Sequence, residues 1–219
     1  MKKYEFTEET KSFAGRTLHR IRAVRDFWGA KAGELGGFIE TEGNLSHEGN
    51  ARVYGNAQVY GDAQVYGNAL VGGDAQVYGD AQVYGNAWVY DNAWVSGDAQ
   101  VYGDARVYGN AWVYGNAWVY DNAWVSGDAQ VYGNARVGGD ARISTTSHYL
   151  VVGPIGGEDG CITFYKTKDG ISVVCDCFFG GIDAFSKKVK KTHGDDEHAK
   201  AYQLAIELAK LRITPEAAG

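Results

Sequence analysis

The chain has 219 residues, a formal charge of −6, 31 glycines and only 2 prolines. This length allows one or two domains, and the low net charge with 13% aromatic residues excludes a disordered chain. No apolar run approaches the ~18–20 residues of a membrane span, the first residues lack a secretory signal, and three cysteines are too few for a disulfide framework. We expect a soluble, cytoplasmic protein without a membrane partner.

The first 34 residues show no repeat, whereas a six-residue pattern begins near residue 35. A stacked coil leaves an open edge at each end that would template aggregation, so residues 1–34 are predicted to be an N-terminal cap. The first turn of the pattern is imperfect, and its predicted inward residues are Leu35, Ile39, Thr41, Leu45 and His47. We expect His47 to be a buried histidine with satisfied hydrogen bonds rather than a catalytic residue.

The six-residue repeat dominates the middle of the chain. From Ala51 to Ala141 an alanine recurs every six residues, sixteen times without a gap, and a valine (finally Ile143) stands two residues after each. Gly-Asn or Gly-Asp precedes almost every alanine, so the unit is A-x-V-Y-G-(N/D). Strand side chains alternate between faces, so Ala and Val share one face and x and Tyr the other. Each Gly-Asn/Asp pair accepts left-handed backbone angles and predicts a corner.

This unit resembles the hexapeptide-repeat family, in which a small residue stands two positions before an aliphatic one. The resemblance covers roughly residues 33–143. It implies an all-β solenoid, a left-handed parallel β-helix with three hexapeptides per turn that is usually trimeric. We assign residues 35–143 to this β-helix and expect a homotrimer. The chain is also similar to phage- or prophage-type members, in which a repeat rich in G-N-A-x-V-Y, as at residues 55–60, is followed by a small C-terminal α+β domain. This resemblance implies that a phage-encoded chain would act in the host cytoplasm.

If eighteen residues make one turn, the outward x residues form three ladders. The first is Arg52, Leu70, Trp88, Arg106, Trp124, Arg142; the second is Gln58, Gln76, Trp94, Trp112, Gln130; the third is Gln64, Gln82, Gln100, Trp118, Arg136. Neighbours in a ladder lie ~4.8 Å apart, so a guanidinium can stack on an indole, worth ~0.5–1 kcal/mol when exposed. The predicted ligand or interface residues are Trp88, Arg106, Trp124 and Arg142 on the first ladder, and Trp94 and Trp112 on the second.

The outward aromatic residues allow three interpretations. Eleven of the sixteen tyrosine positions hold Tyr, and five Trp lie among them. They cover the sheet in cross-strand pairs worth roughly 0.2–1 kcal/mol each, or form the homotrimer interface, or present a stacking platform for a nucleotide-like anion. Nucleic acid is not expected as a partner, because residues 51–143 carry nine Asp against four Arg.

An acyltransferase is the alternative function that the resemblance implies. Such enzymes usually use a histidine on the prism wall as general base, yet residues 49–143 contain no His, Cys, Lys or Glu. His148, just past the last unit, is the one candidate base near a wall. Residues 86–103 and 116–133 are identical. The two copies are five units apart, and five is not a multiple of the three units in a turn. The copied side chains therefore lie on different walls, so a catalytic site specific to one wall would not be preserved by the duplication.

Residues 144–219 lack the repeat and predict a small α+β domain of β-β-β-α-α order. The expected strands cover 149–152, 162–166 and 171–177, with a loop at 153–157 and a hairpin turn at 168–170. The expected helices cover 183–193, closed by Gly194, and 197–211.

Four residues of this domain have the chemistry of zinc ligands: Cys175, Cys177, His193 and His198. Their spacing is not that of a zinc finger, and cysteines in such a strand are more often small core residues. Both interpretations stay open, and no cofactor is expected.

The sequence therefore favours a non-catalytic, trimeric β-helical binding protein. It would sequester a small anionic, nucleotide-like ligand or block a host protein. The alternative is a hexapeptide acyltransferase that uses acyl-coenzyme A.

Overall fold

The computed structural model describes residues 1–156, 160–175 and 178–213. The N-terminal region contains three strands, β1 (Tyr4–Phe13), β2 (Arg16–Ala23) and β3 (Leu35–Ile39). β1 pairs antiparallel with β2, and β2 pairs antiparallel with β3. β3 then pairs in parallel with Gln58–Val59 of the coil. A 3-10 turn, Glu42–Asn44, then leads to the repeat.

The repeat forms sixteen two-residue strands, one for each six-residue unit. In chain order, β4 to β19 are Arg52–Val53, Gln58–Val59, Gln64–Val65, Leu70–Val71, Gln76–Val77, Gln82–Val83, Trp88–Val89, Trp94–Val95, Gln100–Val101, Arg106–Val107, Trp112–Val113, Trp118–Val119, Trp124–Val125, Gln130–Val131, Arg136–Val137 and Arg142–Ile143. Each strand from β4 to β16 pairs in parallel with the strand eighteen residues later, for example Trp88 with Arg106. Three units therefore make one turn, as predicted.

The coil has three walls, each a parallel sheet that runs along the axis. Wall 1 contains the six strands β4, β7, β10, β13, β16 and β19; wall 2 contains β5, β8, β11, β14 and β17, joined to β3; wall 3 contains β6, β9, β12, β15 and β18. Each turn contributes one strand to wall 1, so its six strands correspond to six turns. The three predicted ladders of x residues are confirmed, one for each wall.

The interior of the coil is lined by the repeated alanines and valines. Every alanine from Ala51 to Ala141 is 0% exposed, and the valines from Val53 to Val137 are at most 1% exposed. Alternation along a strand places these two positions on the same face, and that face has no access to water. The predicted core of the coil is therefore confirmed.

Glycine occupies the corners for two separate reasons. Gly103 has a φ of +69°, which disfavours any residue with a side chain. A Cβ at this position would also lie 2.8 Å from the backbone nitrogen of Asp121 in the next turn. The asparagines beside the corner glycines form side-chain ladders, as where Asn68 Nδ2 donates to Asn86 Oδ1 at 3.0 Å.

The predicted inward register upstream of residue 51 is confirmed at Ile39 and Leu45, which are 0% and 1% exposed in the core of the coil, and is wrong at Leu35 and Thr41. Ile39 pairs with Val59 and Leu45 bridges to Val65, so each partner lies twenty residues further along the chain rather than eighteen. Leu35 is 47% exposed, and Thr41 is exposed as the cap of the 3-10 turn. The first turn contains two extra residues because its last corner is longer than the corners of the repeat.

The extra residues carry His47 onto the N-terminal cap instead of into the valine column. Its ring is partly buried and stacks on Tyr4 at 4.2 Å, and its Nδ1 accepts a hydrogen bond from the Lys3 backbone N–H at 3.3 Å. Tyr4 and Lys3 close this end of the coil: the Tyr4 hydroxyl donates to the Leu45 carbonyl at 2.7 Å, and Lys3 Nζ donates to the Ala51 carbonyl at 2.6 Å. Burial, and then the charge of Arg25, lowers the pKa of Lys3 to about 8.

The C-terminal region is an antiparallel sheet followed by two helices. After the 3-10 turn Thr146–His148, its elements are β20 (Tyr149–Ile155), β21 (Gly160–Thr167), β22 (Gly170–Cys175), β23 (Phe178–Gly181), α1 (Ile182–His193) and α2 (Glu197–Arg212). The described part therefore has four strands where three were predicted. Residues 153–155 lie in β20 rather than in the predicted loop.

This region caps the last turn of the coil. Tyr149, Tyr165 and Val174 join the same hydrophobic cluster as the alanines and valines. The Thr163 hydroxyl accepts from the Arg136 backbone N–H at 3.0 Å, where a carbonyl of a further turn would otherwise stand. These contacts complete the sheets at the C-terminal end of the coil. The last strands are therefore not left as unpaired edges, which would promote aggregation.

Candidate binding wall

Wall 1 carries a stack of alternating indoles and guanidiniums. The Arg106 guanidinium lies 5.1 Å from the Trp88 ring and 5.3 Å from the Trp124 ring, and Arg142 lies 4.4 Å from Trp124. The strand spacing of the parallel sheet sets this separation, because these residues occupy the same position in successive turns. The predicted cation–π ladder of Trp88, Arg106, Trp124 and Arg142 is present.

The arginines of wall 1 differ in their partners. Arg52 forms an ion pair with Glu34 and also donates to the Gly29 carbonyl, while Arg142 donates to the carbonyls of Asn122 and Ala141. No carboxylate among the described residues lies within 4.0 Å of the Arg106 guanidinium. A guanidinium that stacks through its faces keeps its N–H edges for carboxylate or phosphate oxygens. Arg106 therefore has the chemistry to bind an anion at this wall.

The tyrosine column beside this ladder is interrupted. Tyr90 and Tyr108 stack at 5.1 Å, and burial is the first cause that raises the pKa of Tyr90. At Gly72 the Tyr54 ring fills the space, since a Cβ there would lie 2.0 Å from Tyr54 Cζ. Serines replace tyrosine in the last two turns of wall 1. The flank of the stack is thus more open near its C-terminal end.

Trp94 and Trp112 lie on wall 2, apart from the arginine–tryptophan stack. Their rings stack on each other at 4.8 Å, and Trp112 is 39% exposed. Wall 3 carries one comparable pair, in which the Arg136 guanidinium lies 4.9 Å from the Trp118 ring. The six predicted ligand or interface residues therefore divide into two groups on different faces of the coil.

His148 caps the end of the coil. The Ser144 backbone N–H donates to Nδ1 of His148 at 3.2 Å, and the Ser144 hydroxyl lies 3.3 Å from the same atom. These contacts fold the 3-10 turn back onto the last unit of wall 1. The interpretation of His148 as a general base stays a prediction.

The candidate zinc ligands are only partly brought together. The rings of His193 and His198 lie 5.7 Å apart, and Cys175 lines a cavity of about 170 Å³ with His193. Cys177 lies outside the described residues. Among the residues that the structure describes, no three His, Cys, Asp or Glu side chains are grouped as metal ligands would be.

The structure also reveals an acidic cleft that the sequence did not predict. A cavity of about 610 Å³ lies between one corner of the coil and the C-terminal sheet, and its acidic lining residues are Asp104, Asp121, Asp140 and Asp169. The Phe179 ring, 59% exposed, also lines it. The carboxylates lie far apart in the sequence, and the only local signal is Asp121, which replaces a corner glycine at a φ of +55°.

The repeat is similar to one known family. Residues 49–62, 63–79, 81–97, 99–115, 111–127 and 129–145 match the family model described as YdcK Beta solenoid repeat. These segments fall within the coil, and together with its fold they place this part of the chain among β-solenoid repeats. No curated protein matches the chain. No helix in the described part of the chain is long and apolar enough to cross a membrane.

Proposed function

We propose that this chain is a non-catalytic binding protein whose recognition surface is the arginine–tryptophan stack of wall 1. The ligand would be a small anion with a planar ring, such as a nucleotide. The observation that carries the proposal is Arg106, whose guanidinium is held between two indoles and has no carboxylate partner among the described residues.

The geometry suits a ligand with both an aromatic ring and a negative charge. Trp88 is 38% exposed at the N-terminal end of the stack, so a ring can pack on or beside its indole. The N–H edges of Arg106 would then bind phosphate oxygens in a charge-assisted way. Base–aromatic stacking contributes about 1–3 kcal/mol per base, which is enough to distinguish a nucleotide from a bare phosphate.

A long polyanion fits this surface less well than a small one. The corner that precedes wall 1 carries Asp104 and Asp140, and the coil as a whole has more aspartates than arginines. Extended nucleic acid would cross these corners and be repelled, since like charges nearby disfavour binding. We therefore propose sequestration of a small molecule, with blocking of a host protein as the other form of the same binding role.

The proposal includes assembly as a homotrimer of the phage-type hexapeptide class. Aromatic residues cover all three walls, and exposed apolar surface of this kind is typical of interfaces. Wall 2, with its stacked Trp94 and Trp112, and wall 3 then remain for contacts between copies. The acyltransferase alternative gains no support from His148, whose Nδ1 accepts a backbone hydrogen bond at the cap.

Titration with ATP, adenosine and tripolyphosphate tests the ligand class. We expect ATP to change the tryptophan fluorescence and raise the melting temperature, and the other two to act more weakly, because each lacks one half of the recognised chemistry. Acetyl-coenzyme A as a fourth titrant tests the alternative, since turnover to free coenzyme A would favour the enzyme.

A pair of variants locates the site. Arg106→Gln removes the cation from the wall 1 stack, and we expect it to weaken ATP binding by at least about tenfold, equivalent to ~1.4 kcal/mol. Arg136→Gln is the matched control, because it removes a cation stacked on tryptophan at a similar distance on wall 3. Equal losses for the two variants, or no response to any titrant, would overturn the proposal.

A further inference from the structure

Helix α2 has apolar residues on two opposite faces. One face is buried against α1 and the sheet, and its members are Ala199, Tyr202, Ala205, Ile206 and Ala209. The opposite face presents Leu204, Leu208 and Leu211, which are 67%, 49% and 80% exposed. Three large aliphatic side chains exposed in one row are unusual for a helix at a protein surface, where the outer face is polar. We call these three residues the leucine row.

The spacing of the leucine row is that of a helix–helix seam. Its members are four and three residues apart, and Ala201 extends the pattern by one further position. Alternating steps of three and four are the a and d positions of a heptad, which pack against the same positions of a facing helix. The row therefore has the periodicity of a surface made for another helix.

The charges beside the row indicate the identity and direction of that helix. Glu207 and Arg212 lie on opposite flanks of the leucine row, at the g and following e positions of the heptad. In a parallel pair of identical helices, g of one copy faces the following e of the other, so Glu207 would meet Arg212 of the second copy. An antiparallel pair would place Glu against Glu and Arg against Arg. The pattern is thus self-complementary only for parallel copies of this chain.

Neither flanking charge is already neutralised within the chain by an ion pair among the described residues. Glu207 accepts a hydrogen bond from the Gln203 amide at 3.1 Å, and no carboxylate of the described residues lies within 4.0 Å of Arg212. The two side chains are five residues apart, and helix neighbours that form pairs are three or four apart. Their charges are therefore available for contacts with a second copy.

The apolar surface continues from the helix onto the coil. Leu208 and Arg212 line a groove of about 420 Å³ whose other side includes Tyr132 and Tyr149 of the last turn and cap. Tyr132 is itself 44% exposed. A helix packed on the leucine row would cover the rim of this groove as well.

We propose that α2 is a self-association surface, on which the leucine rows of neighbouring copies pack in parallel around a symmetry axis. This inference rests on the homotrimer of the proposed function and assigns one of its contacts. Parallel helices from identical subunits follow directly from cyclic symmetry, since rotation about an axis along the helices preserves their direction.

The test is the mass of the full chain in solution, measured by light scattering across a dilution series. We expect Leu208→Glu to shift the assembly to monomers, with an unchanged far-ultraviolet circular dichroism spectrum. Leu35→Glu is the matched control, because Leu35 is 47% exposed on the distant N-terminal cap and carries no part of the row. A trimeric Leu208→Glu variant would overturn the inference, and a monomeric wild type would overturn the trimer as well.

Charge exchange tests the parallel arrangement. Glu207→Arg and Arg212→Glu should each weaken assembly, and the double variant should restore it, because the pair is re-formed with its signs reversed. Loss without restoration would overturn the parallel pairing. ATP titration of the monomeric Leu208→Glu variant separates the two proposals, since the wall 1 site lies within one copy and should bind with unchanged affinity if only the helix contact fails.

Discussion

The corner glycines allow a direct measurement of how tightly successive turns of the coil pack. Gly103 and Gly133 have nearly the same backbone angle, with φ of +69° and +66°. A Cβ at Gly103 would lie 2.8 Å from the Asp121 nitrogen and 3.0 Å from its Cα, whereas a Cβ at Gly133 has nothing within 4 Å. Both carbonyls accept a backbone hydrogen bond, from Asn86 at 2.8 Å and from Asn116 at 3.0 Å. The two positions thus differ mainly in the contact with the next turn.

Replacing each glycine by alanine separates the cost of the backbone angle from the cost of the contact. Gly133→Ala should destabilise the fold by about 1–2 kcal/mol, which is the cost of a left-handed L-residue. Gly103→Ala has the same cost and also brings a methyl group too close to the Asp121 backbone, which cannot change rotamer to relieve the contact. This overpacking should add about 1–3 kcal/mol. The difference corresponds to a fall in melting temperature of about 2–4 °C per kcal/mol for a chain of this size.

Urea unfolding monitored by tryptophan fluorescence and circular dichroism measures both variants. We expect the unfolding midpoint of Gly103→Ala to lie clearly below that of Gly133→Ala, with similar slopes. Equal midpoints would contradict this expectation, because they would mean that the turns are loose enough to accept a methyl group between them.

Three further predictions concern the core, the C-terminal cap and the tyrosine columns. Val101→Ala should cost about 2 kcal/mol in urea unfolding, since it removes two methyl groups from a 0% exposed position in a core with no flexible neighbours to refill it. Thr163→Val should cost about 1–3 kcal/mol by leaving the Arg136 N–H without its acceptor, whereas Thr163→Ser should retain most of the melting temperature. Burial raises the pKa of Tyr60 and of Tyr102 to about 12, so both hold their protons in the folded state where unfolded tyrosines ionise near pH 10. The free energy of unfolding should therefore be highest below about pH 10 and fall as the pH rises toward about 12, by at most ~1.4 kcal/mol per pH unit for each such group. Thermal unfolding measured across this range should show a smaller fall for Tyr60→Phe than for the wild-type chain.

The predicted coil was confirmed because its determinants are local and repeated. Each unit contains its own strand, its own inward pair and its own corner, so the same short-range preferences act sixteen times. The ladders on the walls follow from the period alone, once three units make one turn. Arg106 was thus placed between Trp88 and Trp124 without any knowledge of distant contacts.

The predictions failed where this periodicity ends. The first turn has two extra residues, and no local preference in residues 46–50 announces them. Strand β23 was missed because two of its four residues are glycines, which are poor strand formers in isolation. It forms as the edge partner of β22, with Cys175 paired to Phe178.

The six-residue period is enough to specify a three-walled coil with an interior of alanine and valine, because a side chain's face depends only on its position within the unit. Long-range packing sets how the ends of the coil are closed, because there Tyr4, Lys3 and Thr163 contact residues far away in the chain. It also sets which side of α2 is buried and which side stays exposed. A helix with two apolar faces offers no local reason to bury one rather than the other, and the choice comes from packing against α1 and the sheet.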